Sequence, residues 1–383
     1  MVAKVYSSET VEVFLRLVRL GIGNDSSRQV VIPENIDWSE LKALADAQGL
    51  TAIVLDGLNS VHDSGFMVNG SMPQMLRLEW IGEVLQNYEQ RYAAYKKAIG
   101  SLAGWYNQHG FKMMVLKGYG LSLDWPKPEH RPCGDIDIWL FNQQEEADAL
   151  LESSEFRDES LESVDKVKRI KVDNSHHHHT VFEWEGFTVE NHYDFINVHH
   201  HKSNVELDRI LKKLAADDSN VVEIQGEKVI VPSVDFNAFF LLRHAMNHFA
   251  SSEITIRQLL DWAFFVKRHS SKIDWELLEK EIEQFGMKEL YNVFNAICVG
   301  DLGFSPEIFG TVQFNPELKD RVLKEIITPE VSGAEPSGLI RRIVFKYRRW
   351  KANGWKHELC YKESMWSAFW SGVWSHILKP KSI

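Results

Sequence analysis

Apolar positions along the chain recur first at helical spacing, then in short runs, then at helical spacing again. In Val11–Leu20 and Trp38–Leu50 they return every third or fourth residue, the mark of a helix with one covered face. Trp38, Leu41, Leu44 and Ala45 form a single stripe behind the polar start at Asp37. A longer segment, from about Met75 to His109, carries Leu76, Trp80, Ile81, Val84, Leu85, Tyr88, Tyr92 and Tyr95 at the same spacing. Gly110 follows it, where glycine commonly ends a helix.

The texture then shortens. Lys112–Leu116 is apolar and brief and predicts a buried strand before Gly118. Gly120–Trp125 predicts a short helical stretch, and Pro126, Pro128 and Pro132 an irregular loop. Asp135–Leu140 alternates polar and apolar, which suits a strand with one covered face, and a helix restarts over Gln143–Leu151. Lys166–Val172, Thr180–Trp184 and Phe187–Tyr193 predict further strands, the last two joined by a turn at Glu185-Gly186. A second hairpin is predicted from Val221–Gln225 and Lys228–Val231 around Gly226-Glu227. Beyond Pro232 the pattern is helical again. Ser233 is a candidate N-cap for Val234–Phe249, and further helices are predicted over Thr255–His269, Asp274–Phe285, Lys288–Val299 and Ser337–Trp350. The expected class is α+β: an N-terminal helical region over 1–110, a core with a small mixed sheet over 111–232, and a C-terminal helical region over 233–383.

Composition narrows the function more than the fold. Hydrophobic residues at 44% and charged residues at 25% are ordinary for a folded globular chain. A formal charge of −11 disfavours nonspecific coating of a long nucleic acid, which needs a surplus of Lys and Arg. Cys133, Cys298 and Cys360 form no CxxC pair, and free thiols in a reducing compartment are expected. No leader peptide or membrane-spanning run is seen, so the expected location is cytoplasmic.

The candidate chemistry lies in LKGYGLSLDWPKPEHRPCGDIDIWL, residues 116–140. On a strand, Asp135 and Asp137 project from one face while Ile136 and Ile138 point to the other. Two neighbouring carboxylates raise each other's pKa unless a cation neutralises them, and Mg²⁺ commonly bridges such a pair to substrate phosphates. A third carboxylate is available on Phe187–Tyr193, where Thr188, Glu190 and His192 share a face; Asp194, of the same parity, is a reserve. Three acidic ligands would hold one or two ions for an in-line displacement. Lys117, Gly118 and Arg131 add phosphate-binding character, Gly118 by letting the backbone approach a phosphate. His192 is expected beside Glu190 as a supporting or phosphate-contacting residue.

At these residues the chain resembles the polymerase-β-like nucleotidyltransferase superfamily, and more closely a group of uncharacterised bacterial nucleotidyltransferases. The pattern is a lysine-glycine turn, an arginine, a D-x-D strand and a later E-x-H strand, here LKG, Arg131, DIDIWL and VENHYDF. ENIDWSELKALADAQGLTAIVLDGL and LLRHAMNHFASSEITIRQLLDWAFF are similar to that group's flanking helical regions, so the likeness covers about residues 10–270. The resemblance implies a polymerase-β-like core and makes Asp135, Asp137 and Glu190 the catalytic metal ligands. It implies that Lys117 and Gly118 cradle phosphate and that Arg131 lies near the nucleotide. The implied reaction moves a nucleoside monophosphate from an NTP to an acceptor hydroxyl with Mg²⁺ (or Mn²⁺), releasing pyrophosphate. The acceptor, whether small molecule, sugar or protein, is unspecified. Tyr119 follows Gly118 where the superfamily usually has serine or glycine, and Ser122 comes three residues later. That departure motivates an alternative: a nucleotide-binding regulatory or interaction protein that keeps the fold without turnover. A metal-dependent hydrolase is a third reading.

The runs His176–His179 and His199–His201 read as loop histidines, since consecutive strand residues face opposite ways and at most two of four would serve one metal site. His244 and His248 lie one helical turn apart without an HExxH glutamate, and Arg257 with Asp261 reads as an ion pair. The basic, aromatic stretch Arg341–Lys356 reads as an amphipathic helix. Trp366, Phe369, Trp370 and Trp374 read as a docking or oligomer face.

Overall fold

The computed structural model describes residues 5–25, 32–63, 72–157, 167–176, 178–199, 201–310, 313–333 and 335–378. The chain divides into two compact units, each assembled from separate stretches. One comprises Met1–Gln90, Asp124–Pro132 and Leu241–Met365; the other comprises Arg91–Leu123, Cys133–Phe240 and Trp366–Ile383.

The second unit holds the sheet. Its strands are β1 (Met114–Val115), β2 (Ile136–Trp139), β3 (Phe156–Arg157), β4 (Val167–Lys168), β5 (His179–Trp184), β6 (Phe187–His192), β7 (Val221–Ile224) and β8 (Glu227–Ile230). Six of them form one mixed sheet in the order β5-β6-β2-β1-β8-β7, and β3 pairs with β4 apart from it. The β5–β6 hairpin turns at Glu185 and Gly186, with φ of 46° and 83°, the paired positive angles that match the twist of the flanking strands. The β7–β8 turn uses Gln225 and Gly226, φ 56° and 84°, so it falls one residue earlier than the pattern predicted. Of the strand expected over Lys166–Val172, the structure forms β4 and an isolated bridge from Asp173 to Val181; Lys166 lies outside the described residues.

The core of this unit sits between the sheet and the helix Arg91–Gln108. Tyr95, Ala98, Ile99, Leu102 and Tyr106 pack with Ile136, Ile138, Phe182, Val189 and Val229, all buried. The strand alternation thus does what parity requires: the isoleucines of DIDIW go to the core and the aspartates to the other side. The expected helix over Met75–His109 is continuous, but Leu85–Gln90 winds as a π segment between Gln74–Val84 and Arg91–Gln108. The short helix expected at Gly120–Trp125 starts earlier, at Lys117, and ends at Ser122.

The first unit is helical. Asp37 caps Trp38–Gln48 through hydrogen bonds from the Ser39 and Glu40 amides, and Thr255 with Gln258 forms a capping box on Ile256–His269. Helices Ser8–Gly21 and Thr51–Asp63 cross so closely that a Cβ on Gly21 or Gly57 would lie 2.0 or 2.2 Å from a main-chain oxygen of the other helix. Asp261 binds Arg131 through two hydrogen bonds of 2.7 and 2.9 Å and also accepts from Trp125 Nε1 at 2.9 Å. The carboxylate expected to pair with Arg257 is therefore committed to the proline loop. The His244 and His248 rings meet edge to face, 4.5 Å between centroids. Leu339–Ala352 is a helix with Leu339, Ile340, Ile343 and Val344 exposed. The three cysteines are free thiols, and among the described residues no helix is long and apolar enough to cross a membrane.

Candidate active site

The site forms on the sheet face opposite the Arg91–Gln108 helix, where β1, β2, β6 and β5 lie side by side. Parallel pairing of β2 with β6 sets Asp137 directly opposite Glu190 and Trp139 opposite His192. Antiparallel pairing of β5 with β6 sets His179 opposite His192. Asp135 precedes β2 and is exposed.

The turn after β1 supplies the lysine. Leu116 donates its amide to the Asp137 carbonyl at 2.9 Å, so the chain leaves β1 alongside β2. Gly118 then reverses it with φ 47° and ψ −103°, a conformation that a side chain makes costly. A Cβ there would also fall 2.2 Å from the Tyr95 hydroxyl. That hydroxyl donates to the Asp135 carbonyl at 2.9 Å, so one tyrosine fills the glycine's hollow and fixes the backbone of the first aspartate. The reversal brings Lys117 Nζ to 2.7 Å from Asp137 Oδ1.

His192 Nε2 donates to the same Asp137 oxygen at 2.9 Å and lies 3.5 Å from Glu190 Oε2. One ligand atom each from Asp137, Glu190 and His192 lies within 4.8 Å of the other two. The proton affinities follow from this crowding. Burial pushes Asp137 up, but the Lys117 ammonium and the His192 hydrogen bond outweigh it and hold the carboxyl well below its usual range. Burial also pushes Glu190 up, and the His192 hydrogen bond brings it below normal. Burial alone would lower His192; its bonds to Asp137 and Glu190 raise it instead. Asp135 is raised, first by desolvation and then by the Glu190 and Asp137 carboxylates. It has close like charges, and neighbouring carboxylates of this kind are a donor set that a hard divalent cation would suit.

A match to a family model adds the missing context. The family described as "Uncharacterised nucleotidyltransferase" matches residues 34–298. The chain belongs to that family. Neither the curated proteins nor the solved structures returned a match. In this family member, Lys117, Gly118, Asp135, Asp137, Glu190 and His192 belong to one unit, and the geometry above links each of them to another. Arg131 belongs to the other unit, where it is buried on Asp261. Asp194 is engaged by Lys212 at 2.5 Å, and Lys212 also binds Asp208 at 2.9 Å.

Tyr119, which stands where the superfamily usually has serine or glycine, and Ser122 both turn inward. Tyr119 joins the core and stacks on Tyr92, with ring centroids 6.2 Å apart. Ser122 is fully buried, donates to the Tyr119 carbonyl at 2.6 Å and pairs with Tyr92 Oη at 2.9 Å. Two contributors escaped the sequence reading. Tyr95 was assigned only to a helix stripe; no local signal marks its hydroxyl. His179 was assigned to a loop but begins β5, and the hairpin turn could have revealed it. Burial, followed by its histidine neighbours, holds His178 down to about 2. Burial likewise holds His179 down to about 4, against the pull of Glu190.

Proposed function

We propose that this nucleotidyltransferase moves a nucleoside monophosphate from an NTP, bound with Mg²⁺ (or Mn²⁺), to an acceptor hydroxyl. The acceptor oxygen bonds to the α-phosphorus, the bond to the β-phosphate bridging oxygen breaks, and pyrophosphate leaves with that electron pair. The observation that supports this reading is Asp137 facing Glu190 across two parallel strands, with Asp135 beside them and raised by desolvation and then by their charge. These carboxylates would hold the cation, which when bound would neutralise charge on the transferring phosphate. Lys117 would take a phosphate oxygen, since a flexible ammonium serves a phosphate as readily as it serves Asp137. His192 would orient Asp137 and Glu190. Arg131 would support the proline loop through Asp261. Acceptors compatible with an acidic chain are a small molecule, a sugar or a protein, and the cytoplasm is the natural compartment for the NTP.

Thermal stability of the full chain, measured with each NTP and Mg²⁺, tests the reading. Wild type should be stabilised by one or more NTPs only with the cation and release pyrophosphate in the presence of an acceptor. Asp135→Asn with Asp137→Asn should abolish both effects. No stabilisation of wild type by any NTP refutes the proposal. Binding without pyrophosphate release across a broad acceptor panel would instead support a regulatory nucleotide-binding protein.

A further inference from the structure

We propose that the chain carries a nitrogen-ligand site for a first-row transition cation of Zn²⁺ or Co²⁺ type, formed by His178, His179 and His192 and sharing His192 with the carboxylate cluster. One ligand atom from each imidazole lies within 4.8 Å of the other two. His179 and His192 are opposite partners in the β5–β6 ladder, with ring centroids 5.2 Å apart. His178 stands just before β5, so its ring escapes the alternation of the strand and comes to 4.3 Å from His179 and 5.7 Å from His192. Its carbonyl accepts from the Tyr193 and Asp194 amides, which fixes it beside the end of β6.

Two buried nitrogens point to a ligand. His179 is only 7% exposed, and its Nδ1 is sealed from solvent without a hydrogen-bond partner; His178 Nδ1 is in the same condition. A buried nitrogen without a partner is costly, and a metal ion satisfies the lone pair of a neutral imidazole. Three imidazoles with an open fourth position are a familiar zinc arrangement and a poor one for Mg²⁺, which prefers oxygen. The site adjoins the carboxylates: His192 Nε2 also contacts Asp137 and Glu190, and His179 Nδ1 lies 3.9 Å from Glu190 Oε2, so its nitrogen ligands, not distance, set it apart. Binding here does not depend on nucleotidyl transfer: a chain without that activity would keep the site.

Titration of metal-free, full-length protein with Co²⁺ alone, followed by visible absorption, tests the inference. One Co²⁺ per chain should give the intense bands of a low-coordinate nitrogen-ligated ion, resist excess Mg²⁺, and be displaced by one Zn²⁺. His178→Gln and His179→Gln should each weaken binding at least ~10-fold, while His199→Asn and Asp135→Asn should retain it. Equal weakening in His199→Asn would identify ordinary capture by a histidine tract and overturn the site, as would unchanged binding in His178→Gln and His179→Gln. Because those variants also alter the hairpin, zinc-edge absorption of the wild type provides a second measure. A shell of three imidazoles at about 2.0–2.1 Å is expected, and a shell of oxygen alone would overturn the site. Loss of NTP-dependent stabilisation with Co²⁺ binding intact would refute only the transferase reading.

Discussion

The tightest joint in the site is the fit between Gly118 and Tyr95, and Gly118→Ala tests it. Alanine at φ 47° and ψ −103° would sit in a region nearly reserved for glycine, which costs about 1–3 kcal/mol. Its Cβ would also meet the Tyr95 hydroxyl at 2.2 Å, so the ring must move and release the Asp135 carbonyl. The lost hydrogen bond adds roughly 0.5–1.5 kcal/mol, and displacement of a fully buried ring adds about 1–3 kcal/mol of overpacking. The single variant should therefore lose about 2.5–7.5 kcal/mol in urea unfolding. Tyr95→Phe alone should lose only about 1 kcal/mol. In that background the nearest atom to the new Cβ is a ring carbon at 3.3 Å, so the backbone cost of Gly118→Ala and a small ring adjustment remain. The double variant should be more stable than the sum of the singles predicts, by up to about 1.5–4.5 kcal/mol. Strict additivity would show that the hydroxyl does not define the glycine's place.

Asp261→Ala should cost about 3–5 kcal/mol because it strands the buried Arg131 guanidinium, and Arg131→Met with Asp261→Leu should cost less than either single change; a selective loss of NTP affinity at unchanged stability would instead return Arg131 to the nucleotide. His178 is held near 2, so on acidification the unfolded chain takes up a proton below about 6.5 while the folded ring stays neutral. That ring therefore makes stability fall as pH drops through 6.5, by about 1.5 kcal/mol between pH 6.5 and 5; His178→Gln should remove this part of the slope in denaturant titrations, and an unchanged slope refutes it. Lys117→Met should lower the melting temperature in a chelator, and Mg²⁺ should then raise it by more than it raises wild type, because Asp137 has lost its ammonium partner; equal Mg²⁺ effects would show that no cation reaches Asp137.

Much of the sheet was legible because its information is local. Glu185-Gly186 marks a two-residue turn, the alternation in DIDIW divides core from site, and Gly118 marks a backbone reversal. The same turn also encodes more than was drawn from it. Stepping outward from Trp184 opposite Phe187 leads to His179 opposite His192, so the place of the histidine was implicit in the hairpin. The parallel pairing of Asp137 with Glu190 was not legible in this way. It joins strands separated by a helix and a hairpin, and its register depends on packing rather than on any turn. The Arg131 partner was illegible for a different reason. Arg131 lies close in sequence to Asp135, yet three prolines direct its loop to the helical unit, where Asp261 holds it.

The position of β2 explains why the carboxylates need so many partners. β2 is an interior strand, flanked by β6 on one side and β1 on the other, and Asp137 sits within it almost without exposure. A charge in such a position is tolerated only with close counter-charges and hydrogen bonds. Lys117 and His192 supply them from the two flanking sides: the lysine from the turn that follows β1, the histidine from the end of β6. Asp135, just outside the strand, lacks such partners, and desolvation followed by the Glu190 and Asp137 charges raises its proton affinity. The two aspartates of one short motif are thus chemically different before any ligand arrives. Asp137 is fixed as an anion by the protein, whereas Asp135 keeps a raised proton affinity.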